Sequence, residues 1–159
     1  MISAGRVCVV QLGQLTVGIA GAYTRQVQSL TDLRRAPRTP AALLGLFAVR
    51  SQVIPIVALE PLLGLPVPKH EFAVQLEFES RQFGIGIDAA LGFVPFQAST
   101  TAAEASLLDS LCEGAMRYQN NVIPMLSLPK VLEALSGAFV SLPNRVVFTA
   151  PATIARVLS

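Results

Sequence analysis

The sequence predicts an all-β fold with short helices, arranged as two small related barrels side by side. Three observations carry that expectation. Apolar runs are short and are separated by turns rich in Gly, Pro, Asn and Ser. Val53-Ile54-Pro55-Ile56-Val57-Ala58-Leu59 reappears as Val122-Ile123-Pro124-Met125-Leu126-Ser127-Leu128, with Gly45 or Gly114 at the same distance upstream. Each copy also holds a proline within its strand. Proline cannot donate to a ladder, so it belongs at an edge or bulge, where a small sheet curls into a barrel. Chance similarity in an apolar sequence of low variety is the competing explanation of the repeat.

Taken in order, Val7–Leu12 and Leu15–Ile19 flank Gly13-Gln14, a Gly-X pair suited to a type II′ hairpin turn. Arg25–Leu30 reads as a third strand. The prolines of Arg34–Pro40 forbid a ladder and make that stretch a loop. Leu43–Val49 and Gln52–Val57 form a second hairpin around Arg50-Ser51. Leu59–Leu63 has the look of one or two helical turns ended by Gly64 and Pro66. Phe72–Phe78 alternates, with Ala73, Gln75, Glu77 and Glu79 on one face and Phe72, Val74, Leu76 and Phe78 on the other, as in a half-buried strand. Phe83–Ile87 pairs with it across Ser80-Arg81-Gln82.

Ala102–Leu111 is the best helix candidate, with Thr101 as N-cap and Glu104 completing a capping box. Gly114–Gln119 and Val122–Ser127 surround Asn120-Asn121, a pair that tolerates left-handed conformations. Pro129–Leu135 repeats the short helix, with Pro acceptable in its first turn. After Gly137 the tail holds one further strand, Arg145–Ala150, and a final helical turn.

Hydrophobic residues make up 52% of the 159 and charged ones 14%, so forming a core is not the difficulty. A domain of this size buries roughly 70% of its unfolded surface, and apolar area left outside marks partner sites. The longest uncharged run, Val7 to Thr24, has about the length of a membrane helix, but Gln11, Gly13, Gln14 and Gly18 break it into bursts around a turn. No direct membrane insertion is expected. No basic segment followed by an apolar one opens the chain, so no secretory signal is expected. Cys8 and Cys112 are far apart without metal spacing, as for two buried free thiols in a reducing cytosol.

Net charge is +2, unevenly spread. Arg6, Arg25, Arg34, Arg35, Arg38 and Arg50 face only Asp32 in the first fifty residues, while nine of the ten acids fall between Glu60 and Glu133. This reads either as a basic and an acidic surface region serving two partners or as a scatter of solvated charges. Nucleic acid is not an expected partner, because Lys is scarce and the basic segment has no interleaved aromatics.

Enzymatic readings fail on residue supply. His70 is the only histidine and, beside Pro68 and Lys69, reads as a solvated turn residue. One His and two distant Cys make no zinc set, and neither thiol has a base to activate it. Gly84-Ile85-Gly86 and Gly92 miss dinucleotide spacing, and no Lys follows a Gly-rich loop. Glu77 and Glu79 are explained by an exposed strand face rather than as paired catalytic carboxylates. No catalytic residue, cofactor or metal is expected.

Gly45-Leu46-Phe47-Ala48-Val49-Arg50-Ser51-Gln52-Val53-Ile54-Pro55-Ile56-Val57 resembles the most recognisable stretch of CheW-like domains, a Gly-containing strand leading into an Arg-Gly turn and an apolar-Pro strand. The preceding Thr39-Pro40 and the following Leu62-Leu63-Gly64-Leu65-Pro66 fit, and Phe83-Gly84-Ile85-Gly86-Ile87-Asp88 is similar to the family's second landmark. The resemblance spans roughly residues 6–135 and is specific as an ordered set. It implies two SH3-like five-stranded β-barrel subdomains within a single domain over 1–159. The halves would lie near 20–70 and 71–135 plus the strands of 6–19, with a C-terminal extension at 137–159.

The implied function is a cytoplasmic, non-enzymatic adaptor that couples a chemotaxis-type histidine kinase, through its regulatory domain, to the cytoplasmic tip of a chemoreceptor. The resemblance places Thr24, Gln26, Val27, Gly45, Arg50 and Ser51 in or near the partner-binding region. Three positions depart from the family: Ser51 replaces the glycine after Arg50, Ala58 the acid closing the Pro strand, and Gln26 an acid of the early strand. These departures imply a divergent adaptor, serving chemotaxis or pilus motility. The alternative is a stand-alone interaction barrel with a structural or regulatory role and no kinase partner.

Overall fold

The computed structural model describes residues 5–31, 33, 42–49, 52–105 and 107–140. The expected strand Arg145–Ala150 and the loop Arg34–Pro40 lie outside them. Among the described residues ten strands follow in order: β1 Arg6–Leu12, β2 Leu15–Ala20, β3 Thr24–Ser29, β4 Leu43–Val49, β5 Gln52–Val57, β6 Phe72–Phe78, β7 Arg81–Ile87, β8 Ala89–Pro95, β9 Cys112–Tyr118 and β10 Asn121–Leu126. A single α-helix, α1 Leu128–Val140, closes the described chain. Strands make two five-stranded sheets, ordered β8-β1-β2-β10-β9 and β3-β6-β7-β5-β4.

The turns of three of the four hairpins are described, and each comes from local chemistry. Gly13 takes φ 63° at the first turn position between β1 and β2, a conformation open to Gly without a Cβ penalty. Between β6 and β7 the left-handed residues are Glu79 and Ser80, and between β9 and β10 the left-handed residue is Gln119, not an Asn. Gln52–Val57 pairs with β4 as expected, Pro55 standing opposite Leu46; in the second copy Pro124 stands opposite Ala115.

The repeat extends beyond the residues that announced it. β5 and β10 each add a parallel neighbour, with Ile56 opposite Gly84 and Met125 opposite Gly18. In β1 and β2, Val7 faces Ala20; in β6 and β7, Ala73 faces Gly86. β3 runs along β6 with a register shift around Arg25, and β8 runs along β1 with one around Leu91. Each repeat is therefore a hairpin, a bulged strand and a second hairpin. The first hairpins are exchanged: β6 and β7 complete the sheet of β3, β4 and β5, while β1 and β2 join β8, β9 and β10. The expected halves, 20–70 and 71–135 with 6–19, are therefore not the two barrels: β6 and β7, beyond residue 70, complete the sheet of β3, β4 and β5.

Alternation along the strands sorts side chains into three cores. Val7, Val9, Met116, Ile123 and Met125 fill the first sheet, with Val94, Phe96 and Tyr118 packed around them. That sheet curls until the chain past β8 meets β9, through an Ala98–Met116 bridge and a bond from the Arg117 amide to the Gln97 carbonyl. Leu30, Leu44, Ile54, Ile56, Ala58 and Ala73 fill the second; Leu30, just past one edge strand, and Leu44, in the other, share that interior. The opposite faces of both sheets, including Cys8, Val10, Val17, Ile19, Val74, Leu76 and Ile85, bury against one another in a shared third core. This is the two-barrel arrangement the sequence predicts.

Three expectations need correction. The helix over Ala102–Leu111 is absent: Ser99 and Thr101 bond to each other, Thr101 N–H donating to Ser99 Oγ and the Ser99 hydroxyl to the Thr101 carbonyl. Among the described residues of that stretch only Leu107–Leu111 winds, as a 3-10 turn. Ala102, Glu104 and Ala105 are exposed and offer no apolar face to offset helix nucleation, whereas Leu108 and Leu111 are buried. The strand β8 follows β7 with only Asp88 between, where no turn residues were seen to announce it. The last helix runs past Leu135 to Val140, its Leu128, Val131, Leu132 and Leu135 buried at helical spacing. Ser127 caps it, accepting the Lys130 amide at its hydroxyl (3.4 Å) and the Val131 amide at its carbonyl (3.0 Å).

Candidate partner-binding surface

β3 carries three of the expected partner residues and, among the described residues, is an edge strand bonded only to β6. Arg25, Gln26 and Val27 are exposed, Val27 to 40%. Thr24 is half-buried, and its hydroxyl donates to the Ala20 carbonyl at 3.1 Å. Beneath the strand lies an amide network. Gln75, 9% exposed, accepts at Oε1 from Gln26 (3.0 Å) and Gln28 (2.7 Å) and donates to Gln82 at 3.4 Å. Satisfying both lone pairs of a buried amide oxygen holds Gln26 and Gln28 in place. Arg25, at the bulge, reaches Glu77 at 3.3 Å and the Ala22 carbonyl at 3.1 Å. An ion pair this exposed contributes at most about 1 kcal/mol, and it accounts for Glu77 as a surface residue.

The remaining expected residues do not gather on β3. Gly45 lies on β4, the opposite edge of the same sheet, and is buried. Arg50 and Ser51 lie outside the described residues. Sequence reading missed the counterpart edge, β8, which presents Leu91 (41% exposed) and Phe93 (49%). The Arg6 guanidinium stands 5.2 Å from the centre of the Phe93 ring and donates to the Phe93 carbonyl at 2.7 Å. Unassigned apolar residues at the bulged register of β8 were the available signal.

His70 overturns its reading as a solvated turn residue, for its side chain is fully enclosed. Nδ1 lies 3.0 Å from Asp88 and Nε2 3.1 Å from each carboxylate oxygen of Glu60. The two thiols are buried as expected. Burial pushes Cys8 up; burial first, then the Asp109 charge, with Lys130 pulling the other way, leaves Cys112 pushed up to about 11. Neither is an activated nucleophile, which needs a depressed value. Among the described residues, no group of His, Cys, Asp and Glu is placed to hold a metal ion, and no helix is long and apolar enough to cross a membrane.

Among proteins of curated function no sequence matches the chain significantly. Solved structures do: the scaffolding protein TtCheW from Thermoanaerobacter tengcongensis superposes with a TM-score of 0.65 at 16% identity, over 79% of this chain and 90% of that one. At that identity the likeness concerns the fold. The profile of the CheW-like domain matches residues 6–136, the span that holds both sheets and the buried part of α1, and by that match the chain belongs to the CheW-like domain family.

Proposed function

We propose that the chain is a cytoplasmic, non-catalytic adaptor that couples the regulatory domain of a chemotaxis-type histidine kinase to the cytoplasmic tip of a chemoreceptor. The observation that carries this reading is the pair of unlike, exposed edge strands, β3 and β8, held by one shared core. An adaptor needs two docking surfaces at a fixed separation, and a free sheet edge offers both ladder groups and side chains to a partner. On this reading Thr24, Gln26 and Val27, with Gly45, Arg50 and Ser51, belong to the receptor-facing region. Membership of the CheW-like domain family and a fold shared with a scaffolding protein support a non-catalytic role.

The test mixes the purified chain with a receptor cytoplasmic fragment and a kinase regulatory domain from the same organism. Sedimentation should give a ternary complex and, with each partner singly, a binary one. Binding to neither partner would overturn the coupling role in favour of a stand-alone interaction barrel.

A further inference from the structure

The sole histidine, just before β6, stands beside the point where the chain passes from β7 in one sheet to β8 in the other. Around its ring, space is closed: a Cβ added at Gly86 would come within 2.8 Å of His70 Cδ2 and of Leu44 Cδ1. Glu60 reaches Nε2 from the 3-10 turn Glu60–Leu63 that follows β5. Asp88 reaches Nδ1 from the junction of β7 and β8. A neutral imidazole carries one N–H, so one carboxylate would face a ring lone pair; an imidazolium donates to both. The second Asp88 oxygen accepts the backbone amide of Gly13, in the turn between β1 and β2. The Asp88 amide donates to Gln11 at 2.9 Å.

The result is a chain of polar contacts from Glu60 through His70 and Asp88 to Gly13. It begins on the barrel built by β3 to β7 and ends on the hairpin of the other. We propose that this chain is a proton-operated latch between the two barrels: the protonated imidazole holds the β1–β2 turn to its neighbour, and loss of that proton loosens the turn. The inference is independent of which partners the edges bind.

Among the described residues, charged groups around the ring are few. Glu60 and Asp88 face it; Lys69 and Glu71, its chain neighbours, are exposed; Leu44 and Gly86 bring no charge. Burial works against the imidazolium, but the hydrogen bond and charge of Glu60, followed by the charge and hydrogen bond of Asp88, outweigh it and raise His70 above 6.5. A raised value in the folded state means that the proton stabilises the fold. That stabilisation is complete below the unfolded value, about 6.5, and disappears as pH climbs through the higher folded value.

Nuclear magnetic resonance on the whole chain tests the latch, and a single histidine makes its ring signals unambiguous. Titrated from about pH 5 to about pH 9, the ring should give a midpoint above the ordinary one. The Gly13 amide should shift with the same midpoint, and the melting temperature should fall as pH passes it. His70→Gln should remove the pH dependence of melting in that window, and Asp88→Asn should uncouple Gly13 from the ring. If neither variant folds, the titration of the parent still decides. A ring midpoint at or below about 6.5, or a Gly13 amide indifferent to it, overturns the proposal.

Discussion

Gly84→Ala probes how tightly the second barrel closes at the parallel contact between β5 and β7. Ile56 stands opposite Gly84 there, and a Cβ would lie 2.6 Å from Ile56 Cδ1 and 3.4 Å from the Val74 carbonyl. Carbon atoms pack at about 3.5–4.0 Å, so the overlap with Cδ1 is about 1 Å. The carbonyl belongs to the ladder of β6 and β7, and Ile56 is buried. Ile56 has to yield inside a filled interior, at a cost of about 1–3 kcal/mol.

Ile56→Val removes the offending Cδ1 and by itself should cost about 0.5–1.5 kcal/mol. In the double variant the alanine methyl takes the volume that Cδ1 vacated. Its stability should therefore stay within about 0.5 kcal/mol of Ile56→Val alone, a coupling of about 1–2 kcal/mol. Urea midpoints measured at constant slope give all four corners of the cycle. A double variant whose losses simply add, within about 0.5 kcal/mol, would refute the contact. The repeat supplies a contrasting control. At Gly18 a Cβ would meet Met125 Sδ at 2.7 Å and Val7 Cγ1 at 2.8 Å; the thioether can swing aside, while β-branched Val7 cannot. Rescue of Gly18→Ala should therefore come from Val7→Ala and not from trimming Met125.

Three further outcomes are expected. Arg50→Glu and Val27→Glu should each weaken receptor or kinase capture by about 1–3 kcal/mol and leave melting within about 0.5 kcal/mol of the parent's stability; if both bind normally while Arg34→Glu abolishes capture, the interface lies on another surface. At about pH 8 Cys8 and Cys112 of the folded chain should be alkylated far more slowly than in urea, since both thiols hold their protons; a Cys112 that reacts as fast when folded is the contrary result. Leu135→Ala, in the shared core, should cost about 2–5 kcal/mol by urea unfolding, and a loss under about 1 kcal/mol would mean that α1 is not packed there.

Hairpins were legible because their information is local: Gly13-Gln14 marks one turn, and the alternation of Phe72–Phe78 marks a strand, although not its faces, since Ala73 and Gln75 are buried and Phe72 is exposed. The exchange of hairpins was not, because it depends on Gly18 meeting Met125 and Gly84 meeting Ile56, contacts far apart in the chain. Small residues Ala89, Ala90 and Gly92 hid β8, whose strand propensity is low and whose pairing with β1 does the work. Thr101 and Glu104 made a capping pattern without the buried face a helix needs. His70 was misread because a polar, proline-containing loop normally stays at the surface. Its partners Glu60 and Asp88 lie ten and eighteen positions away, and only the fold brings them to both ring nitrogens.

The repeat also explains why the two edges differ. Pairing to equivalent positions puts Gln26 of β3 against Gln75, where β8 puts Gly92 against Val9, and Gln28 against Ala73, where β8 puts Val94 against Val7. At the bulges Arg25 corresponds to Leu91, and one step on Val27 corresponds to Phe93. The backbone is the same and the chemistry is opposite: amides and an ion pair secure β3, whereas buried Val7 and Val9 and the exposed Phe93 characterise β8. An apolar partner laid on β3 would strip water from the remaining amide groups of Gln26 and Gln28, and an edge bearing Leu91 and Phe93 gains most from apolar burial. Because the first hairpins are exchanged, each barrel contains strands of both repeats, and the shared core leaves little freedom between them. On the proposed function, repetition provides two edges at one fixed separation, and substitution at equivalent positions ensures that they do not compete for one partner.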